Sequence, residues 1–259
     1  MAQDKPKTLL RKRSEESLRL SKRMSELAIC SRREADRWIE KGWVYVNGEP
    51  VTELGSKVTR EDKIEIQQEA KNLKKSFVTI LINKPVGFVS HSVDENLYKS
   101  AYRLLKNGNK DLNYPSGAPL HHHMFEGLAP IGRLDIESQG LLILTQDGTL
   151  AKKVIGENTS IEKEYLVRFE GEITPEKLER LQNGTLFIDD KKIKQAVVEQ
   201  INKDQLRFIL REGKKRQIRK MCEQVELSVT GLKRVRIGDI KLGKLEEGKW
   251  RYLTNQENV

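Results

Sequence analysis

Cysteine is scarce: two in 259 residues, Cys30 and Cys222, far apart and each inside a helical pattern. That excludes a disulfide framework and a thiolate metal site, and both read as small buried hydrophobes of a reducing cytoplasm. No apolar run reaches the roughly 18 residues that a membrane-spanning helix needs. The opening MAQDKPKTLLRKRSEES is basic but has no apolar core or small-residue cleavage site, so it reads as no secretory signal. Neither a Gly-rich phosphate loop nor a dinucleotide fingerprint is present, so no phosphate-bearing cofactor is expected. Histidine numbers four, three of them adjacent at His121, His122 and His123. Three neighbours in one stretch cannot converge on one ion, and no Cys or acid cluster lies beside them. They are expected to form a flexible, ligand-facing or merely solvated loop with no metal.

What is abundant is positive charge. Forty-eight Lys and Arg against 38 Asp and Glu give a net charge of +10, which points to a polyanionic partner, nucleic acid before membrane. The charge comes with order. Residues 1–17 read as a basic flexible tail. From Arg19, Leu20, Met24, Leu27 and Ala28 recur at helical spacing. Ser31 and Glu34 then form a capping box, S-R-R-E, ahead of a helix whose buried stripe is Ala35, Trp38 and Ile39 and whose stop is Gly42. Arg32, Arg33, Arg37 and Lys41 fall on its outer face. A hairpin signal, Asn47-Gly48, separates Val44 and Val46 from a later strand at 63–66. Two helices and a hairpin within about 50 residues make a small basic module at 18–67. The next stretch, 68–76, has few apolar residues and reads as a mobile linker to a larger domain at 77–259.

The larger domain centres on Ala129–Gly148, APIGRLDIESQGLLILTQDG. Leu141 to Thr145 has buried-strand character, and Pro130 and Gly132 punctuate a loop that carries Arg133, Leu134 and Asp135. A carboxylate on a loop fixed by a rigid strand is placed for chemistry; a solvated surface acid is the alternative from spacing alone. Upstream, a strand over 77–82 leads into N-K-P-V-G. Downstream come a short helix near 150–155, a strand over 164–169 containing Tyr165, a helix at 175–181, and strands near 185–188, 195–201 and 206–210. An amphipathic basic helix starts at Lys214. Its apolar stripe includes Ile218, Met221, Cys222 and Val225; Arg216 and Arg219 lie mainly off that stripe, and the helix reads as one lying on RNA.

G-R-L-D with S-Q-G-L-L-I-L-T, N-K-P-x-G, K-E-Y-L-V and E-G-K-K-R-Q-I-R-K-M together resemble the RsuA-type pseudouridine synthase family. C-S-R-R-E-A-D-R-W-I-E-K-G-W-V-Y-V-N-G resembles its S4 RNA-binding domain. E-S-Q-G-L, E-K-E-Y-L-V and R-Q-I-R-x-M-C-E are most like the family's RluF branch. The resemblance implies an α+β fold: a small S4 domain, then a catalytic domain on a mainly antiparallel mixed sheet with flanking helices. It implies Asp135 as nucleophile, Tyr165 against a flipped uracil, and Lys214 as the cation paired with Asp135. Ile218 would line the base pocket, Arg133, Arg216 and Arg219 would contact substrate, and Arg32, Arg33, Arg37 and Lys41 would grip RNA backbone. It further implies 23S rRNA as substrate, with a tyrosine tRNA anticodon as a second. Such a reaction needs no cofactor and no oligomer, so a monomer is expected. Attack at uracil C6 and assistance at ribose C1′ both fit these residues. A catalytically silent RNA-binding or ribosome-assembly factor would share the charge and the S4 module but would not need Asp135, Tyr165 and Lys214 together. A metal-dependent RNA hydrolase would need the histidine run.

Overall fold

A computed structural model describes residues 17–91, 98–114, 119–156, 159–254 and 256–257. It divides into two units, Met1–Leu73 and Lys74–Val259. The basic tail expected at 1–17 lies outside the described residues except for Ser17.

In the small unit, helices α1 (Leu20–Glu26) and α2 (Arg32–Glu40) precede a three-stranded sheet of β1 (Val44–Val46), β2 (Glu49–Val51) and β3 (Ile64–Ile66). The capping box forms: Glu34 N–H donates to Ser31 Oγ at 3.3 Å, and Ser31 N–H to Glu34 Oε2 at 2.7 Å. Such a cap contributes about 1 kcal/mol. Leu20, Met24, Cys30, Ala35, Trp38, Ile39 and Val44 build the core. Asn47 and Gly48 adopt φ of 53° and 89°, as a tight hairpin requires. The expected linker is instead a helix, α3 (Gln68–Lys75), which buries Ala70 in this core. QEAKNLKK consists mostly of good helix formers, with Glu69 in the first turn and Lys74 and Lys75 in the last, charges that complement the helix dipole.

The large unit is a mixed, mostly antiparallel sheet. Its strands are β4 (Thr79–Lys84), β5 (Ala129–Ile131), β6 (Gln139–Thr145), β7 (Lys163–Glu170), and the short pair β8 (Phe187–Ile188) and β9 (Lys191–Lys192), which stands apart. They continue with β10 (Val197–Asn202), β11 (Gln205–Leu210), β12 (Ser228–Ile237), β13 (Ile240–Lys241) and β14 (Trp250–Tyr252). The main order is β10-β11-β7-β12-β6-β4-β14, with β5 on β6 and β13 on β12. Helices are α4 (Gly148–Ile155), α5 (Pro175–Gln182) and α6 (Gln217–Glu223). Both sheet faces are covered. Ile80, Ile82, Leu142, Leu144, Val167 and Phe208 form one core with α5 and α6 residues such as Leu181 and Met221, while Leu81, Leu141, Ile143 and Ile237 form the other with Val154. A strand buried on both faces reads as an unbroken apolar run, which is why β6 is LLILT and shows no alternation.

The parallel pairing of β6 with β12 sets Gly140 beside Arg234. Gly140 has φ +102°, and a Cβ there would lie 2.3 Å from the Arg234 carbonyl oxygen and 2.8 Å from its nitrogen. Both contacts are backbone, so no side-chain rotation relieves them. Gly140→Ala should therefore destabilise the large unit by about 3 to 5 kcal/mol, measured by urea unfolding. A loss below about 1 kcal/mol would mean that the two strands can separate at little cost.

Candidate active site

Asp135 lies on the loop between β5 and β6, and almost every peptide of that loop is tied down. The Arg133 carbonyl accepts from Arg234 Nη1 at 3.4 Å. Leu134 is clipped by Ser90, whose Oγ accepts from the Leu134 N–H and donates to its carbonyl, both at 2.8 Å. The Asp135 carbonyl accepts from Ser138 N–H at 3.0 Å, and that of Ile136 from Gly87 N–H at 2.8 Å. The Glu137 carbonyl accepts from Arg219 Nη2 at 3.2 Å. Gly87 belongs to the N-K-P-V-G turn and has φ +85°, so this turn is a support for the loop as well as a bend. Lys84 fixes the turn in its own right, its ammonium donating to the Pro85 and Phe88 carbonyls at 2.8 and 2.7 Å.

Beyond the loop, one row of residues crosses the sheet. Pairing registers place Lys84 beside Gly140, Gly140 beside Arg234, Arg234 beside Tyr165, and Tyr165 beside Phe208. Lys84, Arg234 and Tyr165 are 0 %, 2 % and 8 % exposed. Tyr165 shares its strand face with Lys163, Val167 and Phe169, all buried. The opposite face of β7 carries ion pairs instead: Glu164 meets Arg207 at 2.9 Å and Arg236 at 2.7 Å, and Glu162 meets Arg236 and Arg211 at 3.1 and 2.9 Å. Hydrogen bonds from these arginines hold both carboxyls below the usual range. Acids on that face are thus neutralised, while the face of Tyr165 carries buried cations, with the charges of Asp135 and Glu247 acting on Lys84.

Several expected site residues come together and one does not. Ile218 is buried in the same core as Tyr165. Arg216 Nη1 and Arg219 Nε approach the Glu137 carboxylate at 2.9 and 3.5 Å, so the start of α6 docks on the Asp135 loop. The hydrogen bond from Arg216 holds the Glu137 carboxyl below its usual range. Arg133 is exposed, with its side chain free to meet a ligand. Lys214 does not pair with Asp135. Its ammonium donates to the carbonyls of Lys191 and Lys192 at 3.1 and 2.9 Å, joining the β8–β9 hairpin to the turn before α6. The reason is local: Arg216 takes a left-handed conformation, φ 54°, and α6 starts at Gln217, so Lys214 lies on a turn instead of a helix face. Of the same segment, Arg216 and Arg219 are the cations that reach the loop. Ser90, Lys163 and Arg234 were missed by sequence reasoning. Arg234 had a legible signal, a cation two residues from Leu232 on the buried parity of its strand.

Arg32, Arg33, Arg37 and Lys41 are exposed on the small unit, with the Lys41 ammonium 4.7 Å over the Trp43 ring. His121 is exposed; the side chains of His122 and His123 lie outside the described residues. Among the described residues no group of three or more His, Cys, Asp or Glu side chains could hold a metal ion, and no helix is long and apolar enough to cross a membrane. Cys30 and Cys222 are free and buried, and burial pushes the Cys222 thiol up to about 12.

Residues 78–224 match the model of the RNA pseudouridylate synthase family, and residues 18–64 that of the S4 domain. The dual-specificity RNA pseudouridine synthase RluF of Escherichia coli K12 is 36% identical over 249 residues, 94% of this chain and 78% of that protein. The ribosomal large subunit pseudouridine synthase B of Bacillus subtilis is 32% identical over 92% of this chain and 93% of that one. A crystal structure of a pseudouridylate synthase superposes with TM-score 0.63 at 25% identity, over 92% of this chain and 97% of that chain. An S4 unit joined to this mixed sheet and loop defines an RNA-directed isomerase. The chain belongs to the RNA pseudouridylate synthase family, and it is of the RluF type.

The buried row makes a prediction about pH. Burial, then the charge of Arg234, lower Lys84 from 10.5 to about 8, against smaller upward effects from Asp135 and Glu247. Between those two values the unfolded chain binds more protons than the folded one, so stability through this group rises with pH. Below about 8 the cost of the buried charge is felt in full, and above 10.5 it is gone. The stability difference between wild type and Lys84→Met should move in favour of wild type across that window, by on the order of 3 kcal/mol. Urea unfolding at several pH values reads it; a difference independent of pH would show that the amine is not depressed.

Proposed function

We propose that this protein converts a specific uridine to pseudouridine in 23S rRNA, with a uridine of a tyrosine tRNA anticodon as a second substrate. An rRNA target places the work in the cytoplasm. The reading is supported by relatives named for the ribosomal large subunit and for dual specificity. One observation carries the chemistry: backbone carbonyls from Arg133 to Glu137 are all engaged, so the Asp135 side chain is presented by a rigid loop.

The reaction breaks the N1–C1′ bond, rotates the base, joins C5 to C1′, and moves the C5 proton to solvent while N1 regains one. Asp135 opens it as an ionised carboxylate acting on the nucleotide, at C6 of the base or C1′ of the ribose. The target uridine must leave its stack, at a cost of a few kcal/mol, and Tyr165 and Ile218 give the extruded base an apolar seat. Arg133 meets the flipped nucleotide, and Arg219 and Arg216 support it from α6. On the small unit Arg32, Arg33, Arg37 and Lys41 bind RNA phosphates, an interaction with charge and shape and not with sequence. The protein acts as a monomer and needs no cofactor.

Asp135→Asn keeps the shape of the side chain and removes the carboxylate. Pseudouridine formation should fall by at least about 10⁴-fold while RNA affinity changes less than about threefold. Tyr165→Phe should keep affinity and lose turnover. Mapping pseudouridines in RNA from cells carrying either variant identifies the target. Substantial turnover by Asp135→Asn would remove the aspartate mechanism, and an unmodified transcriptome with intact RNA binding would favour an assembly factor.

The small unit gives a separate test. Replacing Arg32, Arg33 and Arg37 by Gln should lower the slope of log affinity against log salt by about 0.7 to 0.9 for each RNA phosphate that these arginines neutralise. The single-turnover rate at saturating RNA should hold. A large fall in that rate would mean that this unit positions the uridine as well as anchoring the RNA.

A further inference from the structure

Three cations are buried on the sheet face that carries Tyr165: Lys84 at 0 %, Arg234 at 2 % and Lys163 at 5 % exposure. Arg234 stands between the other two, and its charge lowers both amines, second only to burial. A buried guanidinium costs several kcal/mol unless it is paired, yet among the described residues Arg234 forms no ion pair with a carboxylate. Its Nε donates to the Leu141 carbonyl at 2.8 Å and its Nη1 to the Arg133 carbonyl at 3.4 Å, while Nη2 is buried with no hydrogen-bond partner. A leucine would fill such a place without the cost, as Leu232 does two residues earlier on the same face. The charge therefore needs a reason beyond packing.

The two carbonyls give that reason. Arg133 enters the Asp135 loop and Leu141 follows it on β6, so one guanidinium ties the entrance of the loop to its exit. We propose that Arg234 is a positioning residue for the nucleophile: its guanidinium clamps both ends of the Asp135 loop and so fixes where the carboxylate stands. This rests on the reading of Asp135 as the reacting carboxylate. Gly140, beside Arg234, has no side chain, which lets the two backbones come close enough for this reach. The loop is held separately further on, where Arg216 and Arg219 meet the Glu137 carboxylate.

The test is single-turnover kinetics in the full chain, with the rate at saturating RNA and the half-saturating RNA concentration read separately. Arg234→Gln removes the two-ended clamp. Its saturated rate should fall by about 10- to 100-fold while half-saturation moves less than about threefold. Arg234→Lys keeps a buried cation and loses the clamp, so its saturated rate should fall in the same range. This second variant decides the matter if thermal melts show that Arg234→Gln does not fold. A wild-type saturated rate in Arg234→Lys, or losses confined to half-saturation or to the melting temperature, would reduce Arg234 to a structural strut and overturn the proposal. Full activity in Arg234→Gln would overturn it as well. A fully active Asp135→Asn would instead fail the underlying reading, so the two failures are told apart.

Discussion

The immobilisation of one short loop organises the large unit. A loop whose backbone is held at each residue presents the Asp135 side chain from one fixed place. Here the loop from Arg133 to Glu137 is held from four directions: by Gly87 and Ser90 after β4, by Arg234 on β12, by Arg219 on α6 and by its own turn through Ser138. Each bond contributes only about 1 kcal/mol to stability. Together they leave the loop few ways to rearrange.

That arrangement depends on a close approach of two backbones. β6 and β12 run parallel, and Gly140 lets them meet where any side chain would collide with the Arg234 peptide. Arg234 then reaches across to Leu141 and back to Arg133. The cost is visible in Lys84, Arg234 and Lys163, three cations buried beside a core of aliphatic and aromatic side chains. A chain selected for stability alone would place apolar side chains there. The sequence tolerates the penalty at the sheet end that faces the Asp135 loop, while the acids of β7 are paired with arginines on the other face.

The small unit follows simpler physics. Its core of Leu20, Met24, Ala35, Trp38, Ile39 and Val44 fixes α2 by one face, and the exposed face is then obliged to carry Arg32, Arg33, Arg37 and Lys41. Association with RNA through such a face is strong at low salt and weak in sequence preference.

Much of this was legible in the linear sequence because it depends on near neighbours. The capping box of α2, the Asn47-Gly48 hairpin and the strand and helix periods all rest on interactions within a few residues, and they stand as read. The family motifs gave the class. Two readings did not survive. The stretch 68–76 is a helix, since polar helix formers with dipole-matched ends need only Ala70 to attach them to a core. Lys214 faces the β8–β9 hairpin, because the left-handed Arg216 starts α6 late and turns the lysine away; a one-residue change of backbone region leaves no trace in spacing. Ser90 and Arg234 were beyond reach for a further reason. They act across separations of 44 to 101 residues through hydrogen bonds to backbone carbonyls, and a carbonyl carries no residue identity. Lys84 and Lys163 join them only through burial on the shared sheet face. Which cation lies beside which peptide is decided only when β4, β6, β12 and β7 align in register.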